Sequence, residues 1–204
     1  VADTSINAIY GGSASFANSG TYTKTGGSSV NVSIAASNAG TLTVKGGVLS
    51  LTGGLSNFAG STLTGGTYEV FGPGILQFSG ANVVTNAATV LLDGASSQLR
   101  NASNGANALT NFAANTAAGR FTIQNGRNLT TLGAFNNEGW VQVGDASTFT
   151  AAGVFNNAAG ATLQMAGGSF AGPTVPNAGQ LSGFGNVAPT VANTGSVRAT
   201  GGTL

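Results

Sequence analysis

One phrase recurs along the chain and limits what it can fold into: an apolar or small residue, any residue, Asn, one or two residues, Gly, then alternating apolar positions. Its Asn residues are Asn18, Asn38, Asn57, Asn137, Asn157, Asn177 and Asn193. Two residues before each stand Phe16, Ala36, Leu55, Phe135, Phe155, Val175 and Val191. The following glycines are Gly20, Gly40, Gly60, Gly139, Gly160, Gly179 and Gly195, and Gly119 leads Arg-Phe121-Thr-Ile123 in the same way. A period near 20 residues identifies a repeat architecture.

Each part of the phrase has a physical task. Alternation after the Gly gives a strand with one face buried, because successive side chains point to opposite faces. Gly and Asn tolerate positive φ and suit tight turns. A unit of this length holds two or three short strands and has one apolar face. Alone it cannot bury that face, whereas stacking successive units in register does. Parallel pairing then sets Asn on Asn, and stacked amides can bond to the layers above and below. The seven phrase asparagines are therefore expected to form an internal ladder.

These steps predict an all-β fold: a right-handed parallel β-helix (β-solenoid), the hand following the usual crossover chirality. It should have about 10 rungs of roughly 20 residues and form a single domain over 1–204. At ~4.8 Å per rung it would be roughly 45–50 Å long. Leu42 and Leu63 are expected on adjacent layers, as are Phe135 and Phe155. Residues 1–11 are read as an N-terminal cap or extension. The stretch of about 65–118 fits the period loosely, with strands at Thr67–Val70, Ile75–Phe78, Val90–Leu92 and Gln98–Arg100. Within it, 100–118 reads as a protruding loop or short helix. The terminal Thr203-Leu204 reads as the beginning of another strand, leaving the last rung without a cap.

Composition then narrows function. Charged residues are 5% of the 204, against about 25% in typical domains. Hydrophobic residues reach 41% and the net charge is +1, which excludes the composition of disorder. The 34 glycines do not fall at every third position, which excludes collagen. With no Cys and no His, disulfides, thiolate chemistry, zinc–thiolate sites and the usual nucleophile–base triads are unavailable. Six Lys and Arg make no basic stripe for nucleic acid, and no apolar run suits membrane insertion.

Parallel β-helices also serve as scaffolds for carbohydrate-active enzymes, which need clustered acids or bound calcium. The acids are Asp3, Glu69, Asp93, Glu138 and Asp145. Glu138 and Asp145 should flank one rung from opposite ends. Glu69 and Asp93, about one rung apart and near Arg100, form the constellation to test. The Gly-Gly pairs lack the Asp of calcium-binding nonapeptide repeats, so no metal or other cofactor is expected. Three glycan-acceptor triplets, beginning at Asn31, Asn101 and Asn128, are attributable to composition.

Thr21/Thr23, Thr41/Thr43 and Thr62/Thr64 fall at matching positions of the phrase and predict an outward threonine ladder. A flat array of that kind is similar to the faces of ice-binding solenoids. Strand propensity alone also places Thr on a solvated face. Trp140 is expected outward, where a ring can stack on a sugar or a neighbouring chain.

The segments "FNNEGWVQVGDASTFTAAGVFNNAAGATLQ" and "SNAGTLTVKGGVLSLTGGLSNFAGSTLTGGTY" resemble repeats of large secreted bacterial β-solenoid proteins, among them autotransporter passengers and filamentous-haemagglutinin-like adhesins. The resemblance covers 12–70 and 119–204 well and the middle loosely, and carries no catalytic residues to transfer. It implies a bacterial protein outside the cell or on its surface, acting in adhesion, matrix or fibre formation. A transport or anchoring domain of the kind such proteins carry is not visible. The expected function is non-enzymatic and structural, with other copies of the chain as partners and surface polysaccharide as a further one. Association would use solenoid ends or uncharged faces. An ice- or glycan-binding solenoid and a carbohydrate-active enzyme are the alternatives.

Overall fold

A computed structural model describes residues 4–7 and 13–204. Among them are 24 strands and no helix. Short runs of alternating apolar and polar residues, each closed by Gly, Asn or Ser, set the strand lengths. The chain coils through three sides per layer, and successive layers pair in parallel. The molecule is a parallel β-solenoid.

The longest side gives the register. Its inward column runs Tyr22, Leu42, Tyr68, Val90, Phe121, Val141, Leu163, Leu181 and Val197, one residue per layer. That makes nine layers among the described residues on this side, against the expected ten or so. A second inward column adds Val44, Val70, Leu92, Ile123, Val143 and Met165, none of them accessible to solvent.

The side carrying the asparagines contributes Phe135 and Phe155, paired in register with their rings stacked at 5.3 Å. The third side contributes Phe149 and Phe170, stacked at 5.5 Å. Edge-on contacts between the two pairs lock them into one aromatic cluster. Each buried ring removes 150–250 Å² from water, so this cluster dominates the core of the last layers.

Long strands such as Thr162–Ala171 bend round a corner and pair on two sides, so the hydrogen-bonding pattern closes on itself. Except for one hairpin, each ladder joins one layer to the next in parallel, as in a coil and not in a barrel.

Two regions depart from the expected register. Leu42 lies beside Tyr68, not Leu63, which instead pairs with Asn86. The cause is an inserted hairpin: Phe58–Ala59 pairs antiparallel with Leu63 and Thr62. Gly65 and Gly66, at φ 58° and 68°, then return the chain to the long side. The layer becomes 26 residues long, as the Thr43–Glu69 spacing shows.

The stretch 100–118 is largely a loop and holds no helix, and its apolar residues turn inward. An antiparallel bridge between Arg100 and Asn107 folds the chain back. Ala108, Leu109 and Phe112 then enter the core, at most 1% exposed. The Phe112 ring lies 4.7 Å from Phe121 and 4.9 Å from Phe135. The segment completes a 29-residue layer and ends in the strand Ala114–Asn115. The four strands expected in the middle lie within Thr62–Phe71, Ile75–Phe78, Thr85–Asp93 and Gln98–Asn101.

At the N-terminal end, the suggested cap over 1–11 falls mostly outside the described residues; Thr4–Ile6 is a strand pairing with Ser29–Val32. Thr203 and Leu204 do not start a strand. Thr203 accepts a hydrogen bond from the Gly185 amide, and Leu204 packs half-buried beside Leu181 and Val191.

Candidate functional site

The asparagines form a directional ladder. Asn137 Nδ2 donates to Asn157 Oδ1 at 2.9 Å and to the Thr162 carbonyl at 3.0 Å. Asn157 repeats this with Asn177 and Gln180, and Asn177 with Asn193 and Ser196. Asn18 does the same with Asn38 and Thr41. Each amide thus joins its own layer to the next and supports the turn that follows. In a dry interior such a network is stabilising only when each member is satisfied.

Asn57 follows Asn38 on the next layer, where Leu55 bridges Ala36 in parallel, but it bonds to the Asn38 backbone and not to its side chain. It lies in the hairpin, donates to the Asn38 and Thr64 carbonyls, and accepts from the Asn38 backbone amide. Asn86 and Asn115, which the phrase does not select, take ladder positions: Asn86 donates to Asn115, and Asn115 to Asn137, both at 2.9 Å. No Gly follows Asn86 within the phrase, and three residues separate Asn115 from Gly119. Burial in an in-register strand was the signal available to find them.

The corner after the ladder explains the recurrent glycine differently from the turn argument. Gly60 and Gly160 have positive φ, 55° and 83°, whereas Gly20, Gly40, Gly119, Gly139, Gly179 and Gly195 do not. At Gly40, Gly139 and Gly195 a Cβ would collide with the carbonyl of the glycine one layer below: Gly20, Gly119 and Gly179 respectively. The layers approach too closely here for any side chain.

The threonines separate. Thr21 and Thr23 pair with Thr41 and Thr43, and the next layer brings Thr67 and Glu69. Thr62 and Thr64 pair instead with Thr85 and Ala87 on the asparagine side, displaced by the hairpin. Thr43 is only 4% exposed and donates to Glu69 Oε2 at 2.9 Å. Above Thr67 the column continues through Thr89 to Arg120 and Trp140. The ladder is thus interrupted by charged and aromatic side chains and is not a flat array.

The acids do not converge. Glu69 pairs in register with Leu91 and Asp93 with Phe71, on adjacent layers of the long side. Asp93 accepts from Gln124 and Asn125, while Arg100 lies on the third side and donates to Gln98. Glu138 and Asp145 sit just before and just after the strand segment Trp140–Gly144. Asp3 lies outside the described residues. No group of three or more acids, His or Cys that could hold a metal ion occurs among the described residues. Nor is any helix there long and apolar enough to cross a membrane.

One cation is buried. Lys24 is 4% exposed, and its Nζ donates to the carbonyls of Thr25, Gly26 and Gly46. Three donors meeting three acceptors is the arrangement that lets an ammonium leave water.

A groove follows the glycine corner over the later layers. At one end it is about 350 Å³ and is lined by Gly119, Arg120, Glu138, Gly139, Trp140 and Thr162. A second trough of about 390 Å³ shares Gly160 and Thr162 with it and runs on past Gly179, Gln180 and Ser196. The Arg120 guanidinium lies 4.6 Å from the centre of the Trp140 ring. Trp140 Nε1 and the nearby Thr116 hydroxyl are buried without a hydrogen-bond partner.

Fold and site together define a class: a parallel β-solenoid with an internal asparagine ladder and a glycine-floored lateral groove. No family model matches the chain, and no curated protein or solved structure shows significant similarity to it.

Proposed function

We propose that the chain is a non-enzymatic structural protein of the bacterial surface, a building block of an extracellular fibre, matrix or adhesin that associates with copies of itself. The observation that carries this reading is where the repeated residues go. Asparagines, corner glycines and inward aromatics join one layer to the next, and no repeated residue converges on a reactive centre. What the sequence conserves from layer to layer is therefore stacking, the property of a spacer or fibre unit.

The surface supports self-association. Eleven charged side chains serve 204 residues and nearly cancel, so copies meet little electrostatic repulsion. Apolar side chains of the last two described layers are also exposed, Val197 at 49% and Phe184 at 39%. Lateral faces and solenoid ends are the two routes such a chain would use.

Sedimentation velocity over a hundredfold concentration range at neutral pH, with electron microscopy of the same samples, tests the reading. Assemblies that grow with concentration and without added cofactor are expected. A single monomeric species at every concentration would overturn it.

A further inference from the structure

We propose that the groove along the glycine corner, centred on Trp140, binds an uncharged, hydroxyl-rich polymer: a neutral polysaccharide chain. This rests on the surface-adhesive reading above and names the class of ligand.

Charge comes first. Arg120 and Glu138 stand at the same end of the groove with opposite signs, and no second cation joins Arg120. A polyanion would meet a carboxylate as often as a guanidinium, so phosphate- or sulfate-bearing chains are disfavoured.

A peptide strand is disfavoured by the backbone. The corner amides are already engaged between layers: Trp140 to the Gly119 carbonyl, Thr162 to Gly139, Gln180 to Ala161 and Ser196 to Gly179. No unpaired edge remains there for an added strand.

What the groove offers instead is an aromatic ring, mixed donors and acceptors, and an extended floor without side chains. Trp140 is followed in its column by the short Thr162, which leaves the groove beside the ring free of a bulky neighbour. A sugar ring suits this mixture, because each of its hydroxyls donates or accepts and its C–H face stacks on an indole. The continuation past Thr162 to Gln180 and Ser196 gives room for a chain of several residues.

Trp140 is the chain's one tryptophan, so its fluorescence reports on this groove alone. The full chain is titrated with soluble glucomannan, xyloglucan and a linear α-glucan, and with heparin as a polyanion. A saturable change in emission with at least one neutral polymer is expected. Arg120→Ala, which keeps the reporter, should alter that change. Trp140→Ala should weaken retardation in a gel containing the same polymer by about tenfold, with an unchanged circular dichroism melt. Leu132→Ser, at an exposed site outside the groove, should bind like the parent.

No change with any of the three neutral polymers, or a response to heparin alone, would overturn the proposal. Sedimentation of Trp140→Ala separates this from the structural reading. Assembly without sugar binding refutes the groove alone, and sugar binding without assembly refutes self-association alone.

Discussion

The layers after residue 119 and those between 38 and 118 are built from the same kinds of residue, yet differ in regularity. In the later part Asn137, Asn157 and Asn177 follow at 20-residue steps, and Phe135 lies directly on Phe155. In the earlier part the layers are 26 and 29 residues long, Asn57 meets Asn38 through the latter's backbone, and amide-to-amide pairing resumes at Asn86. A solenoid tolerates added residues wherever they leave through a corner and return to the same register. What it must preserve is the inward column, and the pairs Leu42–Tyr68 and Val90–Phe121 preserve it across the two insertions.

Removing an aromatic from the regular part should have the largest effect. Phe155→Ala empties a fully buried position touching Phe135, Phe149 and Phe170, and should cost about 3–5 kcal/mol. Phe58→Ala, in the hairpin, should cost about half of that, because its ring is half-buried and stacks with one other ring, Phe78. Urea unfolding of both variants at low concentration checks this; equal losses would show that the two regions are packed alike.

The asparagines sharpen the contrast. Asn137→Ala leaves Asn157 Oδ1 and the Thr162 carbonyl without their donor and takes an acceptor from Asn115, all in a buried column. About 2–3 kcal/mol should be lost. Asn57→Ala removes bonds that water can partly replace, and about 1 kcal/mol is expected. Hydrogen exchange adds a spatial check. The Asn137 variant should open layers on both sides of the change, and the Asn57 variant the hairpin alone.

This contrast also marks how far the sequence could be read. Strand alternation and the Asn–Gly phrase were sufficient for the fold class and for the ladder from Asn137 to Asn193, because a constant offset turns sequence spacing into spatial neighbourhood. They place Asn57 next to Asn38 but do not show its bonding to the backbone, and they misplace Thr62/Thr64, which lie in the hairpin. Asn86 and Asn115 escaped because their layers close the corner without the usual spacing to Gly. Phe112 escaped because an irregular segment can fill a core position with no strand alternation to announce it. The 20-residue step from Gly119 to Gly139 likewise sets Arg120 and Trp140 at matching positions of successive layers, where the two side chains meet.

A smaller effect is expected at the corner. Gly139→Ala drives a Cβ into the Gly119 and Thr116 carbonyls, and the layers must part there at a cost of about 1–3 kcal/mol. Gly20→Ala, which meets open space among the described residues and has no positive φ, should change stability by less than about 0.5 kcal/mol. Thermal melts of the two variants suffice. Similar losses at both would return the recurrent glycine to a turn requirement rather than a packing one.

A small effect of opposite sign is expected at neutral pH from Tyr68, in the inward column of the long side. Its hydroxyl is buried with no partner of normal hydrogen-bond geometry, and burial pushes the phenol well above its ordinary value of 10.0. The Asn38 side chain nearby offsets only part of this. Tyr68→Phe should therefore be neutral or stabilising by less than about 1 kcal/mol at pH 7, since it removes a polar group that gains nothing from the interior. Alkaline pH reverses the balance for the parent chain. Unfolded, Tyr68 ionises near pH 10; folded, it keeps its proton. The folded state then binds more protons, and stability falls as pH rises above 10. Urea midpoints from pH 8 to 11 should decline less steeply for Tyr68→Phe, Tyr22 and the remaining tyrosine being common to both chains. Parallel declines would place the phenol in contact with water and the inward column out of register at that layer.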